Sequence, residues 1–228
     1  VQGYEATSIS QIADRVGIRK ASMYSHFMGK QDIYVNGRKA LSHLGGYLPI
    51  IINLSDLGVK AGDECVVAVK ADNSDDKSYP PGKKQAALDF CYHGGMYRDV
   101  WLIGKSPVAM TDANERGKVA GGGVFLHYDN ISEKKADVYV DVEVANKLRS
   151  AAPATVVARI KDKTGKVVAT MKQKNLIAAG CTALYTLHAS LKAPHLWSPE
   201  SPYLYNVEIS VEYGGKTVDG GIVRMGIR

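Results

Sequence analysis

Apolar and polar residues alternate along the second half of this chain, and this two-residue period limits the possible folds more than any other feature. Val138–Val144 has a valine at every second position, and Tyr205–Tyr213 repeats the pattern with other apolar residues. Between these runs, Asp162–Gly165 separates two further strand-like segments and is typical of a hairpin turn. Successive side chains of a strand point to opposite faces of a sheet, so each run can bury one face. The pattern predicts antiparallel strands from about residue 108 to residue 228, arranged as an immunoglobulin-like sandwich.

The first 32 residues have a different period. Four apolar residues recur three or four positions apart, as on one face of a helix: Ile9, Ile12, Ala13 and Val16. Gly17 interrupts the pattern, and a second helical stretch carries Met23, Tyr24 and Phe27. The spacing predicts two short helices joined by a turn.

Between these two regions the sequence predicts shorter strands. Asn36-Gly37 is a typical two-residue hairpin turn. Strands are expected at Tyr47–Leu54, Cys65–Ala71 and Tyr97–Ile103, with a long polar loop over residues 72–87.

The charge of the chain does not mark a nucleic-acid surface. The formal net charge is +6, but the first 32 residues contribute only +1, from four basic and three acidic side chains. The remaining excess lies mostly beyond residue 108 and is interleaved with acids. This distribution favours a solvated surface of mixed sign over a continuous phosphate-binding stripe.

The composition indicates no metal site, cofactor, membrane span or signal peptide. Cys65, Cys91 and Cys181 form no CxxC pair, and their odd number argues against a disulfide framework. Cys65 and Cys181 are expected to be core thiols because they lie in or beside apolar runs. The histidines have no spacing typical of metal ligands, and Gly121-Gly-Gly123 lacks the lysine of a phosphate loop, so it is expected to be a flexible linker or a bulge.

Three motifs resemble family 2 glycoside hydrolases of the β-galactosidase type. Gly94-Gly-Met-Tyr-Arg-Asp-Val100 is similar to a pattern in the sugar-binding domain of that family. Leu196-Trp-Ser-Pro-Glu-Ser-Pro-Tyr-Leu-Tyr205 and Arg224-Met-Gly-Ile-Arg228 resemble segments that precede its catalytic barrel. The resemblance covers about 195 residues in the same order. It implies a partial jelly-roll-like sandwich followed by an immunoglobulin-like sandwich, and a galactoside-like carbohydrate partner in the context of a full enzyme.

The resemblance also assigns one candidate substrate-binding residue, Asp89. In the family an aspartate at this position reaches the sugar in the barrel, and a carboxylate can accept hydrogen bonds from two vicinal hydroxyls. A solvated loop acid is the alternative reading. The two barrel glutamates of a retaining glycosidase have no counterpart here. The chain alone is therefore expected to be inactive. Five of its glutamates are expected at strand or turn surfaces: Glu64, Glu133, Glu143, Glu208 and Glu212.

The segment from Gly3 to Lys30 resembles the DNA-binding helices of Tet-repressor-type regulators. The resemblance implies a second, alternative function as a DNA-binding protein. The DNA-contacting positions of that family fall on Ser10, Lys20, Ala21, Ser22, Tyr24, His26 and Lys30. Most of the first helix and the dimerising domain of such regulators have no counterpart, although reading two half-sites requires a dimer.

The two resemblances meet at Lys30–Asn36, where the sequence suits both families. The expected organisation is a helix–turn–helix remnant at 1–32, a partial sugar-binding sandwich at 33–107 and an immunoglobulin-like sandwich at 108–228. The expected fold class is mainly β. The junction favours a chimera from gene assembly, recombination or cloning over a selected fusion.

Overall fold

The computed structural model describes residues 31–44, 49–72, 74–75, 84–87, 95–96 and 99–228. The chain divides into two compact units, Val1–Trp101 and Leu102–Arg228. Of the helix–turn–helix predicted at residues 7–32, residues 7–30 lie outside the described part, as do Asp89 and the seven candidate DNA contacts, whereas Gln31 and Asp32 belong to a β-strand. The predicted mainly β fold class is confirmed, and the three domain boundaries remain predictions.

The first unit contains a three-stranded antiparallel sheet in the order β2-β1-β3. Its strands are β1 (Gln31–Val35), β2 (Arg38–His43) and β3 (Val67–Ala71). The predicted turn between β1 and β2 is present, since Asn36 and Gly37 have φ values of 48° and 76°. The Asn36 side chain accepts a hydrogen bond from the backbone N–H of Val66 at 2.9 Å, and this contact holds the turn against the start of β3.

Two strands predicted in this unit are absent from its described residues. Over 49–54 the chain is irregular and enters a 3-10 helix at Leu54–Leu57. The Asn53 side chain caps that helix through the Ser55 N–H, and Gly58 ends it with a φ of 81°. These local hydrogen bonds stabilise the 3-10 helix in place of the predicted strand. Residues 99–103, which span the boundary between the two units, are also irregular, and the run from Val100 to Ile103 is 71–87% exposed rather than packed on a described sheet.

The second unit is a sandwich of two antiparallel sheets. One sheet has the order β11-β10-β7-β8, and in the other the central strand β6 pairs with β4, β5 and β9. A four-residue helix, α1 (Ala113–Arg116), lies between β4 and β5. The strands are β4 (Val108–Met110), β5 (Val124–Asp129), β6 (Lys135–Asn146), β7 (Ala152–Lys161), β8 (Val167–Ile177), β9 (Thr182–Lys192), β10 (Tyr205–Tyr213) and β11 (Lys216–Met225).

The core of the sandwich lies where the alternating pattern predicted it. The four valines of Val138–Val144 are fully buried, as is Val207 on β10 in the facing sheet. They belong to one apolar cluster that joins the inner faces of both sheets. Burying a side chain of this size contributes about 1.5–3 kcal/mol. The hairpin predicted at Asp162–Gly165 is also present, and a turn at Gly214-Gly215 joins β10 to β11.

The cysteine prediction is wrong for one of the two residues it named. Cys181 is exposed in the turn between β8 and β9, and Cys65 is partly buried just before β3. Cys91 lies outside the described residues. Cys181 immediately precedes β9, whose first residue, Thr182, is also exposed, and packing against the core begins at Ala183.

We expect amide hydrogen exchange to be slowest at Val138–Val144 and Tyr205–Tyr213. These segments lie on β6 and β10, which each pair with neighbours on both sides, and opening them requires disruption of the whole sandwich. Exchange measured by mass spectrometry on the full chain tests this. Equally slow exchange across Ile9–Phe27 would contradict the view that the first 32 residues are a remnant of another fold.

Candidate functional site

Two motifs that are about twenty residues apart in sequence meet at one end of the sandwich. The backbone N–H of Trp197 donates to the carbonyl of Ile227 at 2.7 Å. The Arg228 guanidinium lies 5.7 Å from the centre of the Trp197 ring. A Cβ atom on Gly226 would lie only 3.1 Å from that ring, so a larger residue would have to displace the Trp197 side chain by a few tenths of an ångström. The family-like segments Leu196–Tyr205 and Arg224–Arg228 therefore form one structural junction.

Aromatic side chains extend this junction. The His195 ring stacks on the ring of Tyr203 with centroids 4.5 Å apart, and Tyr203 meets Tyr205 edge-on at 5.0 Å. The hydroxyl of Tyr205 accepts a hydrogen bond from the His195 backbone N–H at 2.9 Å. Burial raises the pKa of Tyr205. These contacts fix the loop between β9 and β10, and they make the cluster a packing element rather than an acid–base site.

Glu143 is buried on the outer face of β6, which corrects the expectation that it is a surface residue. It is 6% exposed and accepts hydrogen bonds from the Thr111 hydroxyl at 3.0 Å and from Lys118. The Arg116 guanidinium lies 2.7 Å away. Burial alone would raise the pKa of Glu143, but the bonds from Lys118 and Thr111 and the charge of Arg116 outweigh it and lower the pKa.

The glycine triplet belongs to the same structure and is not a flexible linker. Gly122 and Gly123 have φ values of 75° and 57°. A Cβ on Gly122 would lie 2.9 Å from the Arg116 Cβ, and one on Gly123 would lie 3.2 Å from the Thr111 carbonyl oxygen. Glycine here lets the chain fold tightly over Thr111 and Arg116, the residues that reach Glu143.

Asp137, nearer the start of β6, is a second buried carboxylate on the same strand. The Ser190 hydroxyl donates to its carboxylate, Asn130 Nδ2 donates at 2.9 Å, and Lys135 Nζ lies 3.0 Å away. These hydrogen bonds, with Ser190 first, hold the pKa of Asp137 well below its usual range. The catalytic acid of a glycosidase needs the opposite, a raised pKa. Asp137 and Glu143 are therefore built as permanent anions that hold the structure together.

A row of stacked tyrosine and histidine rings lies across the outer face of the sheet that contains β6. Tyr139 is stacked between His127 and His188, with centroid distances of 4.8 Å and 4.7 Å. His127 Nε2 lies 3.4 Å from Asp141. The histidines looked scattered in the sequence because only the pairing of β5, β6 and β9 aligns them. Within the described residues, no group of three or more His, Cys, Asp or Glu side chains could hold a metal ion, and no helix is long and apolar enough to span a membrane.

The structure describes only some of the candidate residues chosen from the sequence. Asp89 and the DNA-contact candidates Ser10, Lys20, Ala21, Ser22, Tyr24, His26 and Lys30 lie outside the described residues, so their roles remain predictions. Of the motif at residues 94–100, Gly95 has a φ of 82°, which agrees with a turn that favours glycine.

The second unit is a two-layered antiparallel β-sandwich, a class of supporting or binding module, with the two family-like motifs joined at one end. Residues 123–228 match the family model of the glycosyl hydrolases family 2, and residues 1–35 match that of the bacterial regulatory proteins of the tetR family. Both resemblances inferred from the sequence are confirmed. The chain carries a portion of a family 2 glycosyl hydrolase behind a TetR-type segment.

Similar proteins support this assignment. A β-glucuronidase from Formosa agariphila is 29% identical over 86% of this chain, and a β-galactosidase from Thermoanaerobacter pseudethanolicus is 26% identical over 90%. The chain spans 20% and 26% of these relatives. Among solved structures, the Bacteroides uniformis β-glucuronidase superimposes with a TM-score of 0.75 at 27% identity, over 88% of this chain and 23% of that chain.

We expect Glu143→Gln to lower the free energy of unfolding by about 1–3 kcal/mol at pH 7, because three donors lose a charged acceptor. The pKa of Glu143 is lower in the folded chain than in the unfolded one. Its stabilising effect is therefore complete above the pKa of an unfolded glutamate and disappears as the pH falls through the folded value. Urea unfolding between pH 7 and pH 3 measures both effects.

The matched control is Glu133→Gln, because Glu133 is an exposed glutamate in the turn before β6. This variant should unfold like the wild-type chain at every pH. A difference between Glu143→Gln and wild type that stayed constant from pH 7 to pH 3 would show that the charge of Glu143 is not the source of the stabilisation.

Proposed function

We propose that the β-structured part of this chain is the non-catalytic portion of an enzyme that cleaves β-galactosides. The observation that carries the proposal is the superposition of nearly nine-tenths of the chain on a putative β-galactosidase from Bacteroides fragilis, with a TM-score of 0.75 at 31% identity. In this role the sandwiches support a catalytic domain, and the carbohydrate is bound in the complete enzyme. The roles of Asp137 and Glu143 as structural anions agree with a supporting function.

Asp89 is the residue that we propose touches the sugar. It follows a loop rich in proline and glycine and precedes the Gly94–Val100 motif, which resembles the family pattern. Its carboxylate can accept hydrogen bonds from two neighbouring hydroxyls of a pyranose. The relatives include both β-galactosidases and β-glucuronidases, so a glucuronide is the competing substrate. A galactoside presents only hydroxyls to this carboxylate, whereas a glucuronide adds an anion that would need a cation beside it.

We predict that Asp89→Ala lowers kcat/KM for a nitrophenyl β-galactoside by about 10- to 100-fold in the full-length enzyme. A hydrogen bond to a charged group contributes about 1.5–3 kcal/mol, and each 1.36 kcal/mol corresponds to a factor of ten. The coding DNA on both sides of this stretch is sequenced first, and the proposal requires a catalytic barrel in frame downstream. Parallel assays with a nitrophenyl β-glucuronide identify the preferred sugar.

Asp56→Ala is the control for this measurement, because Asp56 is an exposed acid in the short 3-10 helix of the same unit. The control should retain wild-type kcat/KM. Equal activity of the Asp89→Ala and Asp56→Ala enzymes would remove Asp89 from the site. The absence of a barrel in frame would overturn the enzymatic proposal itself.

A second candidate function is DNA binding by the N-terminal segment, favoured by the match of residues 1–35 to the tetR family. The candidate contacts include Lys20 and Lys30, which would pair with phosphates. The segment has a net charge of only +1, and few phosphates can therefore be neutralised.

We expect weak DNA binding without sequence preference. A gel shift seen at low salt should disappear at physiological salt, because the affinity comes from released counterions. Lys20→Ala with Lys30→Ala should abolish the shift, whereas Lys192→Ala, at an exposed position at the end of β9, should leave it unchanged. A sequence-specific footprint at physiological salt would instead establish regulation as the function of this chain.

A further inference from the structure

The outer face of the sheet β11-β10-β7-β8 carries an excess of positive charge. Residues directly opposite each other in antiparallel strands lie on the same face of a sheet, so the pairing shows which side chains share the outer face. Five of these side chains are basic and two are acidic, which gives a net charge of +3: Arg159, Lys161, Lys172, Lys174 and Arg224 against Glu208 and Glu212. Strand pairing therefore gathers on one surface cations that the sequence interleaves with acids.

The two signs occupy different strands of this face. Both acids lie on β10, whereas four of the five cations lie on β7 and β8. Each acid already holds one lysine, since Glu208 lies 2.5 Å from Lys161 and Glu212 lies 3.4 Å from Lys172. Within the described part of the chain, three exposed cations of this face have no carboxylate at ion-pair distance: Arg159, Lys174 and Arg224. The excess positive charge is therefore accessible from solvent.

The four cations on β7 and β8 form a stepped line, which we call the basic track. Arg159 and Lys161 are two residues apart on β7, as are Lys172 and Lys174 on β8, so the Cα atoms of each pair are about 6.8 Å apart. Lys172 is opposite Val157, the residue two positions before Arg159, on a strand about 4.8 Å away. The basic track therefore crosses diagonally from β7 to β8 in steps of about 7–8 Å.

Hydroxyl side chains lie among these cations. Thr170 is opposite Arg159, and Thr155 is opposite Lys174. A hydroxyl both donates and accepts hydrogen bonds, as the hydroxyls of a sugar do. The basic track thus combines groups that attract anions with groups that suit a carbohydrate.

The same face is poorly suited to nucleic acid. None of the paired side chains that point outward from its four strands is aromatic. Proteins that bind single strands generally stack the bases on aromatic side chains. A duplex is wider than the basic track, and it would place phosphates over Glu208 and Glu212 on β10.

We propose that the basic track binds a linear polyuronide, a polysaccharide with a carboxylate on each sugar. Arginine and lysine form charge-assisted hydrogen bonds to carboxylates, and the two threonines bond to the sugar hydroxyls. A narrow chain follows β7 and β8 without crossing the acids of β10. The site lies on the second unit and requires no catalytic domain, so its failure would leave the role proposed for Asp89 untouched.

Titration calorimetry of the full chain with an oligogalacturonate tests the proposal. Binding should be measurable at low ionic strength and should weaken as salt is added, because salt screens exposed charges. A neutral galacto-oligosaccharide of the same length should not bind. Oligoglutamate and oligodeoxythymidylate of the same charge should bind at least about tenfold more weakly, because neither presents sugar hydroxyls in place of bases or amides. Undetectable binding of the oligogalacturonate, or equal binding of either other anion, overturns the proposal.

A pair of charge variants locates the site. Arg159→Gln with Lys174→Gln removes the two unpaired cations of the basic track and should raise the dissociation constant for the oligogalacturonate by about tenfold. Lys134→Gln with Lys192→Gln is the matched control, because it removes the same charge at exposed positions beside and on the other sheet. This control should bind like the wild-type chain. Equal losses in the two variants would show that only total charge matters and would contradict the proposal.

A third variant tests the sugar contacts and leaves every charge in place. Thr155→Val with Thr170→Val keeps the branched shape of both side chains and removes only their hydroxyls. The affinity for the oligogalacturonate should fall about threefold or more, whereas the weaker affinity for oligoglutamate should not change. An unchanged affinity for the oligogalacturonate would overturn the assignment of a carbohydrate to this face. Melting temperatures near that of the wild-type chain confirm that each variant is folded.

Discussion

Burial of one face of β6 is the constraint on which the sandwich depends. Its four valines between Val138 and Val144 are completely enclosed, and the strand pairs with β4, β5 and β9. Because the side-chain period of a strand is two, a slip of one residue would place Asp137, Asp141 and Glu143 in the apolar core. The cost of burying those charges sets the register of three neighbouring strands at once.

The outer face of β6 shows how the remaining polar groups are accommodated. Glu143 and Asp137 are nearly inaccessible, yet each is surrounded by cations and hydrogen-bond donors from adjacent segments. The tight turn at Gly122 and Gly123 brings the residues that reach Glu143 into place. The sandwich is thus held from inside by apolar contacts and from outside by two ionic clusters, which suits a module whose role is support.

The junction of Trp197 with Gly226 and Arg228 connects this sandwich to the family resemblance. Segments that look like separate motifs in sequence form one cluster at the end of the module. The composite nature of the chain appears at its other end. There a TetR-type segment precedes a first sheet that has three described strands.

The sequence by itself determined the fold class and the strands β6, β7, β8 and β10, because alternation and turn residues are local signals, and its motifs carried the family resemblance. Val138–Val144, Tyr205–Tyr213 and the Asn36-Gly37 turn were all predictable from neighbours in the chain. Local signals failed at residues 49–54, where capping by Asn53 opposes an apolar run, and at Val100–Ile103, where a strand-like run lacks a partner. Only the tertiary structure decided that Glu143 is buried and that His127 and His188 enclose Tyr139. Those contacts join residues far apart in the chain, and they depend on strand register, which no single segment contains.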